Sequence, residues 1–450
     1  MNVASFPALN HKTEAERRQH GVELRRAVAR SDQAEWSPLA GRRDPVDILK
    51  EQGARRIATL LPLRYARMRP SPFAFLRGAA AVMAEDLAST PATGLRVQAC
   101  GDCHLANFGA YASPEGLPVF DVNDFDETLP APFEWDLKRL ATSLVVAGRE
   151  KGGGNDVCEG LAQAASQAYR RTMDRLAGLP PIDAWSTRID LGAALAKIHK
   201  ARVKASETKR LMATLKSGRS GFGLIEQAGT TWRIRDKPPT VHHFAAHELA
   251  TRAAFEGYAA TLAPERRILL DRYRLRDVAF KVVGVGSVGT FCAIGLFTDA
   301  DGHPLVLQLK EAQESVLARH AGPSAFVNQG QRVVAGQRLL QATSDIFLGW
   351  TQPPGDPRYF YVRQMKDSRL AAVGESIESA LPFYAELCGR TLARGHARSG
   401  DAAAIAGYLG DGHVFDNAIA GFAMAYADQT RRDWERFCAA IDAGEIEAAT

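Results

Sequence analysis

The apolar positions of this chain change period twice, and the changes divide it into three blocks, residues 1–265, 266–370 and 371–450. The first block is mostly helical in its spacing. Asp44-Pro45 opens one helix, an N-cap candidate ahead of proline at the first helical position. "PFAFLRGAAAVMAEDLA" predicts a single apolar helix ending near Ser89; "EWDLKRLATSLVVAGRE", "EGLAQAASQAYRRTMDRLAG" and "AAHELATRAAFEGYAATL" predict three more. Between them "LRVQAC" and "PVFDVNDFD" read as short strands, and residues 216–240 read as a long irregular loop or small flap. The second block is rich in β-branched and apolar residues. It predicts three antiparallel strands at about 278–283, 290–298 and 304–310, with turns between Gly284 and Gly289 and at "DADGH". A helix over "GQRVVAGQRLLQATSD" and a strand over "RYFYVRQMK" follow. The third block returns to helix, with "SALPFYAELCGRTLARGHARSG" and "DNAIAGFAMAYADQTRRDWERFCAAI". The class this implies is α+β.

Composition narrows the field. A chain of 450 residues with 46% hydrophobic and 24% charged content can bury a sizeable core. A formal charge of +5, with no dense Lys/Arg run interleaved with aromatics, excludes a dedicated nucleic-acid binder. No apolar run approaches the ~20 residues of a membrane helix, and the start of the chain is polar, so a cytoplasmic protein with no membrane partner is expected. The six cysteines are expected as reduced thiols. Cys100 and Cys103 form one CxxC with no second pair, which argues against structural zinc. His242, His243 and His247 lack the HExxH pattern or a neighbouring carboxylate in sequence, and argue against zinc too.

Four short motifs carry chemistry. In "GDCHLANFG", Asp102 and Asn107 leave a strand five residues apart, with His104 between them. Phosphoryl transfer needs a carboxylate to orient an attacking hydroxyl and an amide oxygen to help hold Mg²⁺, and Asp-x-x-x-x-Asn supplies both from one turn. Taken alone, the same spacing also suits a turn whose Asp and Asn cap local backbone. In "VFDVNDFDET", Asp124 and Asp126 follow an apolar strand, inside an acidic cluster with Asp121 and Glu127 that repels itself unless a cation is near. Asp124 is the expected metal ligand, with Asn107, and Asp126 assists. "GVGSVG" offers Gly284, Gly286, Ser287 and Gly289; a strand follows it, which favours a phosphate-covering flap over a dinucleotide fold. "LVLQLK" ends in Lys310, placed to meet nucleotide phosphates, and puts Gln308 on the same face where a small apolar residue usually packs on adenine.

Two features sit less easily. The helix after Lys310 contains no Glu to pair with it, so Glu314 is the expected substitute, with Gln331 or Gln337 behind. Arg64, Arg67 and Arg77 lie upstream of the catalytic loop, where they could receive a phosphate or an acidic substrate, and Asp136 is placed to anchor that loop from a helix.

The parts are those of a phosphotransferase, in the wrong order: the catalytic loop and metal aspartate precede the glycine flap and lysine strand. A circularly permuted, protein-kinase-like two-lobe fold would reconcile them, with the small antiparallel β lobe inserted after a large helical lobe. "YVRQMKD" would then be the last strand and hinge, setting Gln364 and Met365 against the nucleotide.

"RYARMRPSPFAFLRG", "CGDCHLANFG", "FDVNDFDET", "EWDLKRLA", "LQLKEA", "RVVAGQRLLQ", "DIFLGW" and "FAMAYADQT" resemble the bacterial domain-of-unknown-function family 2252, over nearly the whole chain from about Asp44 to the last helix. That family is grouped with kinase-like folds, and the resemblance implies active-site positions at Asp102, His104, Asn107 and Asp124. "GDCHLAN…NDFD" is separately similar to aminoglycoside-type phosphotransferases, which by analogy implies small-molecule kinase chemistry. The expectation is an ATP- and Mg²⁺-dependent phosphotransferase with a nucleotide and an acceptor as its partners. The alternatives are adenylyl transfer to a protein by the same fold, permitted by Gln308 and the helix without Glu, or a non-catalytic nucleotide-binding pseudokinase.

Overall fold

A computed structural model describes residues 11–115, 117–190, 223–229, 231–365 and 381–449. Helices α1 (Glu14–Leu24), α2 (Pro45–Gly53), α3 (Leu61–Met68), α4 (Pro72–Gly78) and α5 (Ala80–Leu87) lead into strands β1 (Arg96–Ala99), β2 (Phe108–Ala112), β3 (Pro118–Val122) and β4 (Leu129–Pro132). Next come α6 (Phe133–Glu150), α7 (Asn155–Ala177), α8 (Pro181–Ser186), β5 (Ile225–Ala228), β6 (Thr231–Ile234), β7 (Val241–His242), α9 (Ala245–Tyr258) and α10 (Pro264–Leu270). The sheet region holds β8 (Arg274–Lys281), β9 (Cys292–Thr298), β10 (Pro304–Ala312), α11 (Ala318–Ala321), α12 (Gln329–Leu340), β11 (Gly349–Thr351) and β12 (Tyr359–Gln364). Helices α13 (Leu381–Ala397), α14 (Ala402–Leu409) and α15 (Val414–Asp442) close the chain.

The fold is mixed α and β, with two principal cores. One is helical: α6 is buried along almost its whole length, and α7, α13, α14 and α15 pack around it through side chains such as Leu140, Leu144, Tyr169, Leu392 and Phe422. The other belongs to a six-stranded antiparallel sheet in the order β11-β12-β10-β9-β8-β7, whose Phe280, Leu307 and Phe360 meet Phe255 and Tyr258 of α9. β10 lies inside this sheet, and its register sets Lys310 opposite Cys292 on one side and Tyr361 on the other, with Gln308 opposite Arg363. Apolar alternation in the flanking strands buries them, which makes these cross-strand partners unambiguous. β1 pairs with β4 and β2 with β3, two small ribbons that carry the first two motifs.

Local chemistry explains the boundaries. Asp44 accepts from the Val46 amide at 2.8 Å ahead of Pro45, as its position suggested. The expected single helix from Pro72 to Ser89 is two helices. The chain leaves helical geometry at Ala79 (φ −112, ψ 34), beside Gly78, whose carbonyl accepts from the buried Arg64 and whose Cα packs directly on Met68. That contact fixes Arg64 inside the core, donating to Gln52 and Gly78, so it is neither a surface arginine nor a phosphate receiver. The described part of 216–240 is a hairpin, β5–β6, whose Ile225 and Ile234 pack against Val306 and Ile294 of the sheet. Together with β7 and α9 it belongs to the sheet rather than to the first block, so the boundary expected at 265 moves forward to near 223. The boundary expected at 370 lies outside the described residues. Among the described residues no helix is long and apolar enough to cross a membrane.

Candidate active site

The first motif is held by α6. Asp136, in its first turn, accepts from the amides of Cys100 (2.7 Å) and Gly101 (3.0 Å), and His396 of α13 meets its Oδ2 at 3.1 Å. Gly101 has φ +84, and a Cβ there would fall 2.3 Å from the Glu127 carbonyl oxygen, so only glycine allows the two motif loops to touch. One turn along α6, the buried Arg139 donates from Nε to Asp102 Oδ1 at 2.6 Å, with Nη2 on the same oxygen, and ties itself to the Leu76 carbonyl. Asp102 is thereby fixed through Oδ1 while Oδ2 stays open. Asn107 donates through Nδ2 to the Asp102 carbonyl at 2.7 Å, which leaves its amide oxygen as the remaining ligand atom. His104 is buried, with Nε2 3.8 Å from Asp102. Burial pushes its imidazole down to about 3, so it is neutral.

The second motif is organised by its middle residue. Phe125 is buried in the helical core, while Asp124 and Asp126 on either side of it in sequence both line one cavity. Asp126 accepts three side-chain bonds. Its Oδ2 accepts from Lys310 Nζ at 2.7 Å and Ser287 Oγ at 3.1 Å, and its Oδ1 accepts from the Tyr361 hydroxyl at 2.6 Å. Burial opposes its charge, but Lys310 and Tyr361 overcome that and hold the carboxyl down at about 2. Asp126 is therefore the counter-ion of Lys310, and these three bonds take most of the roughly four lone-pair sites of its carboxylate, so its part in holding a metal is secondary to that of Asp124. Asp124 differs. It lies 3.9 Å from Lys310 and is one-third exposed (33%), and burial and then the neighbouring Asp126 push its carboxyl up. Burial would lower the Lys310 ammonium, but Asp124 and Asp126 together raise it above the ordinary lysine range.

The expected partner of Lys310 is corrected as well. Glu314 is exposed and sits 3.8 Å from Arg55, while Gln337 donates to Gln341. In place of a helix Glu, α12 sends in Arg332, which donates to the carbonyls of Thr128 (2.6 Å), Gln313 (2.7 Å) and Asp126 (2.9 Å) and so pins the backbone of the acidic loop. The acidic partner comes from the loop itself.

These pieces enclose one cavity of about 600 Å³, lined by Asp102, His104, Asn107, Asp124, Asp126, Gly284, Gly286, Ser287 and Lys310. Gly289 is outside the lining. It has φ +93, and a Cβ there would stand 3.0 Å from the Arg56 stem. Gln364 and Met365 line a second cavity of about 280 Å³, joined to the first through Asn123, Gln308 and Arg363. They were expected against the nucleotide. The Gln364 amide is bonded to Asp345 and the Met365 amide donates to the Val306 carbonyl at 3.0 Å, so neither N–H is available to a base. The rest of the expected hinge lies outside the described residues.

Hard oxygen donors from Asp124 and the Asn107 amide suit Mg²⁺, and the raised Asp124 carboxyl is a group that a cation would relieve. A buried cluster of possible ligands nearby does not suit a metal. Cys100 and Cys103 approach Asp136, but its oxygens are committed to amides and His396, and burial raises both thiols, Cys103 to about 11. His243 does find carboxylates, Asp236 at 2.9 Å and Asp277 at 3.1 Å, as an ion pair on the sheet edge.

Four functional groups were missed in the sequence. On β12, Tyr361 stands opposite Lys310 and reaches Asp126 from beneath the cavity, while Arg363, opposite Gln308, lines it and donates to Gln308 Oε1 (3.1 Å) and the Asn123 carbonyl (2.9 Å). The period of two in "YFYVRQ" was the available signal. Arg139 shares a helix face with Asp136 three residues before it, another local signal. Arg332 had none.

The family described as an uncharacterized protein conserved in bacteria (DUF2252) matches residues 56–440. No curated protein and no solved structure matches the chain.

Proposed function

We propose that this chain, which belongs to the DUF2252 family, transfers the terminal phosphoryl group of ATP to a hydroxyl of a small-molecule acceptor on a circularly permuted, kinase-like scaffold. One observation carries the reading: Lys310 Nζ lies 2.7 Å from Asp126 and 3.9 Å from Asp124, in a cavity that Asp102 and Asn107 also line. Groups 184 residues apart in sequence thus share one cleft, which supports a phosphoryl-transfer site written in permuted chain order.

Asp102, held by Arg139 through Oδ1, orients the acceptor hydroxyl with Oδ2. Lys310 neutralises nucleotide phosphate, and Asp126, with Tyr361 and Ser287, keeps the ammonium aimed into the cavity. Asp124 and the Asn107 amide oxygen are the residues that would hold Mg²⁺, which supplies charge neutralisation on the phosphates. The backbone between Gly284 and Gly289 covers the nucleotide. Asp124→Ala is expected to abolish Mg²⁺-dependent ATP turnover; turnover equal to wild type in that variant sinks the assignment.

A second reading, adenylyl transfer, draws on the smaller cavity. Its walls are polar, with Gln308, Arg363 and Lys281, and the Gln364 and Met365 amides are already taken, so it is an unusual seat for adenine and a reasonable one for phosphates. Mass spectrometry of labelled acceptors separates the two: a phosphate adduct supports phosphoryl transfer, and an adenylyl adduct supports this second reading.

A further inference from the structure

The loop from Gly284 to Gly289 is gripped by two arginines that the chemistry above leaves unused. Arg67, at the end of α3, donates from Nη1 to the Gly284 carbonyl at 2.7 Å. Arg56, just after α2, donates from Nη1 to the carbonyls of Gly286 at 2.8 Å and Val288 at 2.6 Å. The Ile57 amide donates to the Gly289 carbonyl at 2.7 Å, and two turns within the loop satisfy Val285 and Ser287. All six carbonyls of the loop are therefore occupied. Of its six amides, only that of Val288 has an acceptor among the described residues.

Backbone N–H groups are obligatory donors, so a segment with every acceptor filled and its donors open has the polarity of an anion cradle. Geometry links the two facts. In a trans peptide, C=O of one residue and N–H of the next point in opposite directions. Holding the carbonyls of Gly284, Gly286 and Val288 therefore turns the amides of Val285, Ser287 and Gly289 away from the arginines. Val285 and Ser287 line the main cavity.

We propose that Arg56 and Arg67 are positioning residues that preset this loop as a cradle for a nucleotide's phosphates, in place of a flap that must order around them. The proposal rests on the nucleotide reading for its ligand, but not for the geometry. It also explains why the two arginines lie 217 to 232 positions before the carbonyls they hold: the grip comes from the helical part of the molecule and spans the cleft.

The test uses the full chain as wild type, Arg67→Ala, Arg67→Lys and Arg56→Met. Each is titrated calorimetrically with Mg²⁺–tripolyphosphate and with Mg²⁺–ATP, and hydrogen exchange of the peptide spanning 283–290 is followed without ligand. Arg67 is half-buried and holds a single carbonyl, against two for Arg56, so its variants keep the assay open even if Arg56→Met does not fold. Arg67→Ala is expected to bind tripolyphosphate about tenfold more weakly, to exchange its loop amides faster, and to raise KM for ATP more than it lowers kcat. Arg67→Lys, which restores a single donor, recovers most of each loss. Equal tripolyphosphate affinity and equal loop exchange in Arg67→Ala and wild type overturn the latch and leave the nucleotide reading standing. A wild type that binds tripolyphosphate but not ATP does the reverse, and a wild type that binds neither ends both.

Discussion

The floor of the cavity and the loop that covers it are fixed by opposite halves of the peptide group. In the floor, donors are tied: the amides of Cys100 and Gly101 go to Asp136 and that of Leu105 to Ser143, so the loop is rigid and offers the cavity side chains, Asp102 and Asn107. In the cover, acceptors are tied to Arg56, Arg67 and the Ile57 amide, so the loop offers the cavity its backbone. Chemistry that moves protons needs the first kind of loop, and binding that spreads charge over phosphate oxygens needs the second. The anchors differ in depth too. Asp136 and Arg139 are buried, whereas Arg56 and Arg67 are half-buried.

This contrast can be broken most severely from below. Asp136→Ala leaves two buried amides and His396 without their acceptor, and should cost on the order of 3 kcal/mol. A urea unfolding midpoint unchanged from wild type would show that the floor does not depend on that carboxylate. The cover should fail more gently. Gly289→Ala forces a side chain into φ +93 and against the Arg56 stem, at about 1–2 kcal/mol of local strain. Weaker binding of Mg²⁺–ATP with little change in the global unfolding midpoint is expected; a large drop in the midpoint would mean that the cover is as structural as the floor.

The smallest effect sharpens the point that partners, not burial, make the floor firm. Lys138 lies on α6 between Asp136 and Arg139 in sequence, is fully buried over the Phe422 ring, and has no hydrogen-bond partner among the described residues. Burial lowers its ammonium to about 8, with Glu134 opposing. A lysine whose folded value falls below its unfolded one costs stability fully below pH 8, and the cost fades as pH rises from 8 towards 10.5. Lys138→Met should therefore stabilise the fold at pH 7 by about 1 kcal/mol, allowing for the ring contact. The gain should shrink when the midpoints are compared at pH 9.5, and a gain independent of pH would assign it to packing alone.

What could be read from the chain divides along a related line. Asp102, Asn107, Asp124, Lys310 and the glycines each sit in a short local motif, and their chemistry is visible wherever the motif is. The residues that hold them come from elsewhere: Arg139 and Asp136 from α6, Arg332 from α12, Arg56 and Arg67 from before the first strand. Only Asp136 was anticipated, because it falls soon after the motif it serves. Glu314 was the expected acid beside Lys310 because it precedes the helix after that strand; Asp126, two residues beyond Asp124 and far away in sequence, meets the need instead. The break at Ala79 was equally hidden, since alanine-rich sequence favours helix and only the Met68 and Arg64 contacts at Gly78 forbid it to continue.

The pairing of Asp126 with Lys310 across 184 positions has a consequence for biosynthesis. At the ~5–20 residues per second of translation, the acidic loop leaves the ribosome roughly ten to forty seconds before its ammonium partner exists. During that interval the nascent chain carries an unmatched anionic patch that water or a free cation must screen. The cleft is consequently among the last features of the molecule to mature, and a pause in synthesis between the two motifs would prolong its most vulnerable state.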